Sequence, residues 1–312
     1  MSLTRRAVII TSLAFAASPA VARTGFETWL KKFRRKATRL GFSERTLEAS
    51  LKGAEFLPKV VANDSRQAEV AKPLQDYLAS AASGARLSGG QKALKKYNNT
   101  LSKIERTYGV EKEVLTAIWG MESAYGGFRG TLPVFSTLST LAFEGRRREL
   151  FEAELLAALQ IVEAGHATPA EMRGSFAGAM GHTQFMPSTY QRHAQDFDGT
   201  GHANIWGDDP TDALASTAQL LKAEGWRKGQ PWAVEVTLPH GFDLALTGRI
   251  FPRKTRDWQR LGVTTASSAK LADHGNGALI LPAGPEGPVF MVYNNFHVIK
   301  KYNYADSYAI GV

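Results

Sequence analysis

One carboxylate stands where its helix asks for a hydrophobe. Around "IWGMESAYG", residues 118–126, Leu115, Ile118, Trp119 and Glu122 recur at i, i+3, i+4 and i+7, so they share one helix face. That face turns Glu122 toward the interior or a cleft. Burial disfavours an ionised carboxylate and raises its pKa. A carboxyl kept protonated near neutrality can act as a general acid. The alternative is a structural glutamate at the helix end, exposed or paired with a cation such as Arg129. Gly126 and Gly127 end the helix and suit a turn whose backbone approaches something closely.

A second stretch, "GSFAGAMGHTQFMPSTY" at residues 174–190, places Gly174, Gly178 and Gly181 within eight residues. Each glycine weakens a helix by roughly 1 kcal/mol relative to alanine. Two explanations fit: backbone groups brought up to a ligand, with the Gln184 amide suited to a sugar, or close packing of helices on small residues. It is not a phosphate loop, because the lysine and hydroxyl of that motif are missing.

The elements that must hold these residues are mostly helical. Trp29, Leu30, Phe33, Ala37 and Leu40 form one stripe, stopped by Gly41. Ser43 can cap "ERTLEASLKG", and "SRQAEVAKPLQDYLASAAS" is a helical pattern interrupted near Pro73. The helical part is expected over about 25–228. From about residue 230 the texture changes. "WAVEVTLP" alternates, and "ALILPAG" and "PVFMVY" are short apolar runs, which predicts a small β subdomain over about 230–293. Residues 294–312 return to the core. The fold class is mainly α (α+β).

The chain opens with Arg5 and Arg6, an apolar run from Ala7 to about Ala17, and an A-x-A pattern at Ala20–Ala22. This predicts a cleavable export signal over 1–22, leaving 23–312 as the mature region in the periplasm. The run is too short to anchor the chain stably in a membrane. Cysteine is absent, which rules out disulfides, a thiol nucleophile and lipid attachment through cysteine. The net charge is +9, of which the signal arginines supply two. A basic exported protein suits an anionic partner. Nucleic acid is not expected, since "KKFRRK" lies on an amphipathic helix without stacking aromatics.

Together with "KKYN" near the end, the two motifs resemble the membrane-bound lytic murein transglycosylase B family, glycoside hydrolase family 103. The resemblance covers nearly all of the mature region. It implies a lysozyme-like helical core with an α subdomain and a small β subdomain. It also implies cleavage of peptidoglycan glycan strands between N-acetylmuramic acid and N-acetylglucosamine, leaving 1,6-anhydro ends. Glu122 then matches the family's single catalytic glutamate. Tyr77, Ser175, Phe176, Gln184, Tyr302, Asn303 and Tyr308 match sugar-binding positions. For the tyrosines, core packing is the other explanation.

The sequence departs from the family in places. "DFDGTGHANIWGDDPTD" is similar to the family's EF-hand-like calcium loop, with Asp196, Asp198, Thr200 and His202 in the first, third, fifth and seventh places. Thr200 replaces an acid, and Gly207 stands where an ordinary EF-hand has its bidentate glutamate, although Asp212 follows. The loop therefore reads first as a hydrogen-bonded Asp/Asn turn, with a calcium ion as the alternative and no cofactor required. Leu220 occupies a position where some members have a cleft tyrosine. Two other functions stay open. One is a hydrolytic lysozyme, which would need a second carboxylate such as Glu144 or Glu149. The other is a non-catalytic wall-binding protein. The sequence sets no oligomeric state.

Overall fold

The computed structural model describes residues 19–69 and 73–312. Residues 1–18 of the expected signal lie outside the described residues, and the backbone of 19–22 begins the first helix. Helices α1 (Pro19–Arg39), α2 (Glu44–Leu51), α3 (Pro58–Glu69), α4 (Leu74–Ala81), α5 (Gly84–Lys96), α6 (Asn98–Tyr108) and α7 (Lys112–Ser123) come first. Strand β1 (Leu132–Pro133), helices α8 (Val134–Glu144) and α9 (Arg148–Glu163), strand β2 (Arg173–Gly174) and helices α10 (Pro187–His193) and α11 (Thr211–Ala223) follow. Then come β3 (Ala233–Thr237), β4 (Arg253–Lys254), α12 (Thr255–Arg260), β5 (Thr264–Thr265), β6 (Asn276–Ile280) and β7 (Val289–Val292). Helices α13 (Asn294–Tyr302) and α14 (Asp306–Gly311) close the chain.

The apolar stripes account for the packing. Phe26, Phe33 and Ala37 of α1 are buried. Leu40, counted in that stripe from spacing, is 60% exposed, because α1 has ended at Arg39 before the turn at Gly41. Ser43 caps α2 by accepting from the Thr46 N–H at 3.2 Å. Helix α8 is buried on nearly every side, as befits the centre of a helical core. Its Ser136 and Thr140 hydroxyls accept from the Glu55 and Leu57 N–H groups at 3.1 and 3.0 Å, which ties the α2–α3 connection to the core. The stretch 175–186, expected within the helical part, is instead a set of tight turns that follows β2. Glycines and left-handed residues break the ladder there, and helix resumes only at Pro187.

Strands β4–β6–β7–β3–β5 form an antiparallel sheet in that spatial order. Pairing β6 with β7 sets Ala278, Leu279 and Ile280 opposite Val292, Met291 and Phe290. Alternate residues then enter two different cores. Leu279 and Met291 join Trp258 and Val263 beneath the sheet. Ala278, Ile280 and Val292 face Phe296, Ile299, Tyr308 and Ala309 of α13 and α14. Both faces are covered, which explains why "ALIL" runs continuously apolar instead of alternating. No helix among the described residues is long and apolar enough to cross a membrane.

Candidate active site

Glu122 lies in the last turn of α7, after Leu115, Ile118 and Trp119, all of them buried. The chain then turns through three left-handed residues, Ala124 (φ 49°), Tyr125 (φ 60°) and Gly126 (φ 86°). The first two are strained and need surroundings that fix them. Tyr125 supplies this: its ring covers Gly120, where an added Cβ would fall 2.6 Å from the ring, and its hydroxyl donates 2.7 Å to the Arg86 carbonyl. The Arg86 guanidinium donates in return to the Gly120 carbonyl at the end of α7.

Three tyrosines from different elements surround the acid. The Tyr308 hydroxyl of α14 donates 2.6 Å to Glu122 Oε1. Its ring stacks on Tyr302 of α13, with centroids 6.3 Å apart and planes 5° from parallel. The Tyr302 hydroxyl donates to the Thr183 carbonyl, which ties α13 to the glycine-rich stretch. Tyr77 of α4 packs against Gly311 of α14, and the Glu122 charge adds to the burial that raises its hydroxyl pKa. Burial pushes the Glu122 carboxyl up to about 7, with the Tyr308 hydrogen bond pulling the other way. The negative end of the α7 dipole acts in the same direction as burial.

No second acid contributes to that shift among the described residues. Glu144 pairs with Arg146 at 2.6 Å, and Glu149 is exposed. Arg129 does not neutralise Glu122; it pairs with Asp208 at 2.9 Å and donates to the Gly207 carbonyl.

The glycine-rich stretch packs on its own protein. A Cβ on Gly178 would lie 2.4 Å from Leu138, and one on Gly181 2.2 Å from the Ile205 carbonyl. Ser175 accepts from the Ala177 and Ala179 N–H groups at 3.4 and 3.3 Å. Phe176 packs on the helical core. Gln184, with φ 52°, donates through Nε2 to the Gly181 and Arg129 carbonyls at 2.8 and 3.1 Å, and its Oε1 accepts from no described residue. Asn303 is exposed after α13, its Oδ1 accepting from the Ala305 N–H at 3.1 Å. A cavity of about 830 Å³ between α1 and the 51–58 loop is lined by none of these residues.

His182 was not anticipated and is the hub of the site's frame. Its Nδ1 accepts from Trp119 Nε1 at 3.1 Å, so Nε2 carries the proton and donates 2.8 Å to the Gly207 carbonyl. Burial lowers its pKa and keeps the ring neutral. The Ser123 hydroxyl donates 2.5 Å to the His182 carbonyl and accepts from the Gly126 N–H at 3.0 Å. The turn after Glu122 is thus fastened to the glycine-rich stretch. A tryptophan N–H on an apolar face needs a partner, and that was the available signal.

The whole of this arrangement falls within one family description, the transglycosylase SLT domain, whose model matches residues 25–312. The chain belongs to that family. Membrane-bound lytic murein transglycosylase B of Escherichia coli (strain K12) is 35% identical over 223 residues, 69% of this chain and 59% of that protein. The match therefore spans less than two thirds of that relative's length. SltB3 from Pseudomonas aeruginosa is 43% identical, with a TM-score of 0.88 over 92% of this chain and 77% of that one. Its crystal structures hold NAG-NAM-pentapeptide and NAG-anhNAM-pentapeptide. The Escherichia coli lytic transglycosylase Slt35 in complex with calcium is 29% identical, with a TM-score of 0.77 over 94% of this chain and 91% of that one. The fold is thus the lysozyme-like, mainly helical fold of lytic transglycosylases.

Within the SLT domain the 196–212 loop gathers Asp196, Asp198 and Asp212, each offering an oxygen within 4.8 Å of the others. An all-oxygen, triply acidic set fits a hard cation such as calcium. The same oxygens also satisfy the loop's own backbone. Asp196 accepts from the Thr200 and Gly201 N–H groups at 2.9 and 2.8 Å. Buried Asp212 accepts from Phe197 and Asn204 at 2.8 and 2.9 Å.

Proposed function

We propose that this SLT-domain protein is a lytic transglycosylase. It cleaves the β-1,4 bond from N-acetylmuramic acid to N-acetylglucosamine in peptidoglycan and leaves a 1,6-anhydromuramic end. The observation that carries this is a lone carboxyl, pushed up to about 7, with no second acid shifting it among the described residues. Ordinary glycosidases need two carboxylates, one of them a nucleophile or a base for water. Here Glu122 protonates the glycosidic oxygen and then, as carboxylate, takes the proton of the substrate's own C6 hydroxyl. That hydroxyl attacks within the molecule, which replaces an encounter with water by an oriented step. The Tyr308 hydroxyl stabilises the carboxylate between the two steps.

In the same reading Tyr77, Ser175, Phe176, Gln184, Tyr302 and Asn303 line the sugar sites, and Tyr308 acts on the acid. Residues 1–22 direct export to the periplasm, and 23–312 form the catalytic region. SltB3 captured with both a NAG-NAM and a NAG-anhNAM peptide supports the chemistry. Mass spectrometry of purified sacculi after digestion tests it. Anhydro ends are expected. Reducing ends would replace the reading with a lysozyme, and intact sacculi with a wall-binding protein.

Two further outcomes follow. kcat/KM on sacculi should fall about tenfold per pH unit once the pH passes about 7, because the acid must enter protonated. A profile flat to pH 9 would take Glu122 out of that role. A cation held by Asp196, Asp198 and Asp212 would staple the loop and supply no chemistry. A chelator should leave the lytic rate within about twofold, since backbone N–H groups already hold those carboxylates. Loss of rate restored by calcium would show that the ion is needed.

A further inference from the structure

We propose that Asp306 is a positioning residue: gripped by Lys300 and Arg249, it holds Tyr308 against Glu122 and links the small sheet to the acid. The inference rests on the reading of Glu122 given above. Helix α14 has six residues, and no side chain caps its N-terminus. So short a helix is marginal without outside contacts. Asp306 is its first residue, two before Tyr308. The Lys300 ammonium, nearly buried on α13, donates to Asp306 Oδ1 and at 2.5 Å to the Tyr304 carbonyl. Arg249, from the loop between β3 and β4, donates to the same oxygen at 2.8 Å. A buried ammonium needs a paired anion, so Lys300 fixes where Asp306 can sit.

The neighbouring packing points the same way. Ala278, Ile280 and Val292 of the sheet pack with Tyr308 and Ala309. The β subdomain thus reaches α14 twice: apolar side chains of the sheet pack on Tyr308, and Arg249 of the β3–β4 loop pairs with Asp306. Two residues along a helix span about 3 Å. Release of Asp306 therefore frees the first turn of α14, and any shift of that turn is carried to the 2.6 Å hydrogen bond of the Tyr308 hydroxyl. The groups facing Glu122 are Tyr77 from α4, Tyr302 from α13 and Tyr308 from α14, with the Arg86 guanidinium on the last turn of α7. Of these, Tyr308 alone donates to the carboxylate.

The test compares Asp306→Asn, Tyr308→Phe, the double variant and Arg249→Gln, each as kcat, KM and pH profile on sacculi. Asp306→Asn should lower kcat about 10-fold to 100-fold, with KM within about threefold. It should also move the alkaline limb upward by roughly one pH unit, as Tyr308→Phe does, because one variant displaces and the other removes the Tyr308 donor that favours the carboxylate. The double variant should be no more than about twofold below Tyr308→Phe. Arg249→Gln, at a half-buried position, should shift the limb in the same direction with about a threefold loss, and it decides the matter if Asp306→Asn does not fold. Wild-type limbs in Asp306→Asn and Arg249→Gln, or losses that multiply in the double variant, overturn the proposal. Glu122→Gln keeps the two readings apart: inactive, it leaves any failure to Asp306 alone; lytic, it removes both.

Discussion

Glu122→Gln should bind glycan, show no lysis and, above neutral pH, outlast the parent protein on heating. The activity loss should be at least about 10⁴-fold, because in the proposed mechanism one group serves as acid and then as base, and each role is worth about 10²–10⁴. Glutamine cannot donate the proton that the glycosidic oxygen needs, yet it keeps the shape of the side chain and can still accept from Tyr308. The stability gain follows from linkage. The folded carboxyl titrates at about 7 and the unfolded one at 4.5. Its contribution to stability is therefore fully present below pH 4.5 and is lost as pH rises through about 7. At pH 8 the ionised, half-dry carboxylate costs about 3 kcal/mol relative to its unfolded state. Glutamine carries no such cost. The variant should melt several degrees above the parent at pH 8 and alongside it at pH 4, read by calorimetry with a binding isotherm on purified glycan. Undiminished lysis, or equal melting at both pH values, would contradict the assignment.

The sequence exposed the parts of this site whose signal is local. Glu122 broke a helical stripe, and a broken pattern is visible without coordinates. The alternation in "WAVEVTLP" and the runs "ALIL" and "PVFMVY" foretold strands, and β3, β6 and β7 lie there. Ser43 announced its cap. What stayed hidden depends on contacts between distant residues. Nothing near Asp306 in the chain tells that Arg249 reaches it across 57 positions. His182 carries no pattern of its own; its role arises because Trp119, 63 residues earlier, needs an acceptor. The glycine-rich stretch misled in its secondary structure. Its density suggested a weakened helix, whereas the glycines permit left-handed turns and contacts too close for any Cβ. Leu40 failed for a smaller reason, since periodicity does not say where a helix stops.

Gly130→Ala should be the most damaging glycine-to-alanine substitution among the described residues. Gly130 has φ 86°, and an added Cβ would lie 2.0 Å from the Gly174 carbonyl carbon and 2.5 Å from the Ser175 nitrogen. These are backbone atoms, so no rotamer change relieves the clash. They are pinned by the β1–β2 pairing of Leu132 with Gly174 and by the Ser175 N–H donating 2.8 Å to the Ala179 carbonyl. The left-handed conformation costs alanine about 1–2 kcal/mol, and forced overpacking about 1–3 kcal/mol more. A total of about 3 kcal/mol or more should lower Tm by at least about 5 °C in a domain of this size. Activity should fall with it, because the parts pushed aside are Ser175 and the turn that follows Glu122. Gly199→Ala is the matched control: its φ is 77°, but nothing lies within 4 Å of its Cβ. It should lose only the conformational part, about 1–2 kcal/mol, and keep full lysis. Equal melting of the two variants would mean that the backbone at 174–175 yields, and that close backbone contact does not hold the turn after Glu122 to the glycine-rich stretch.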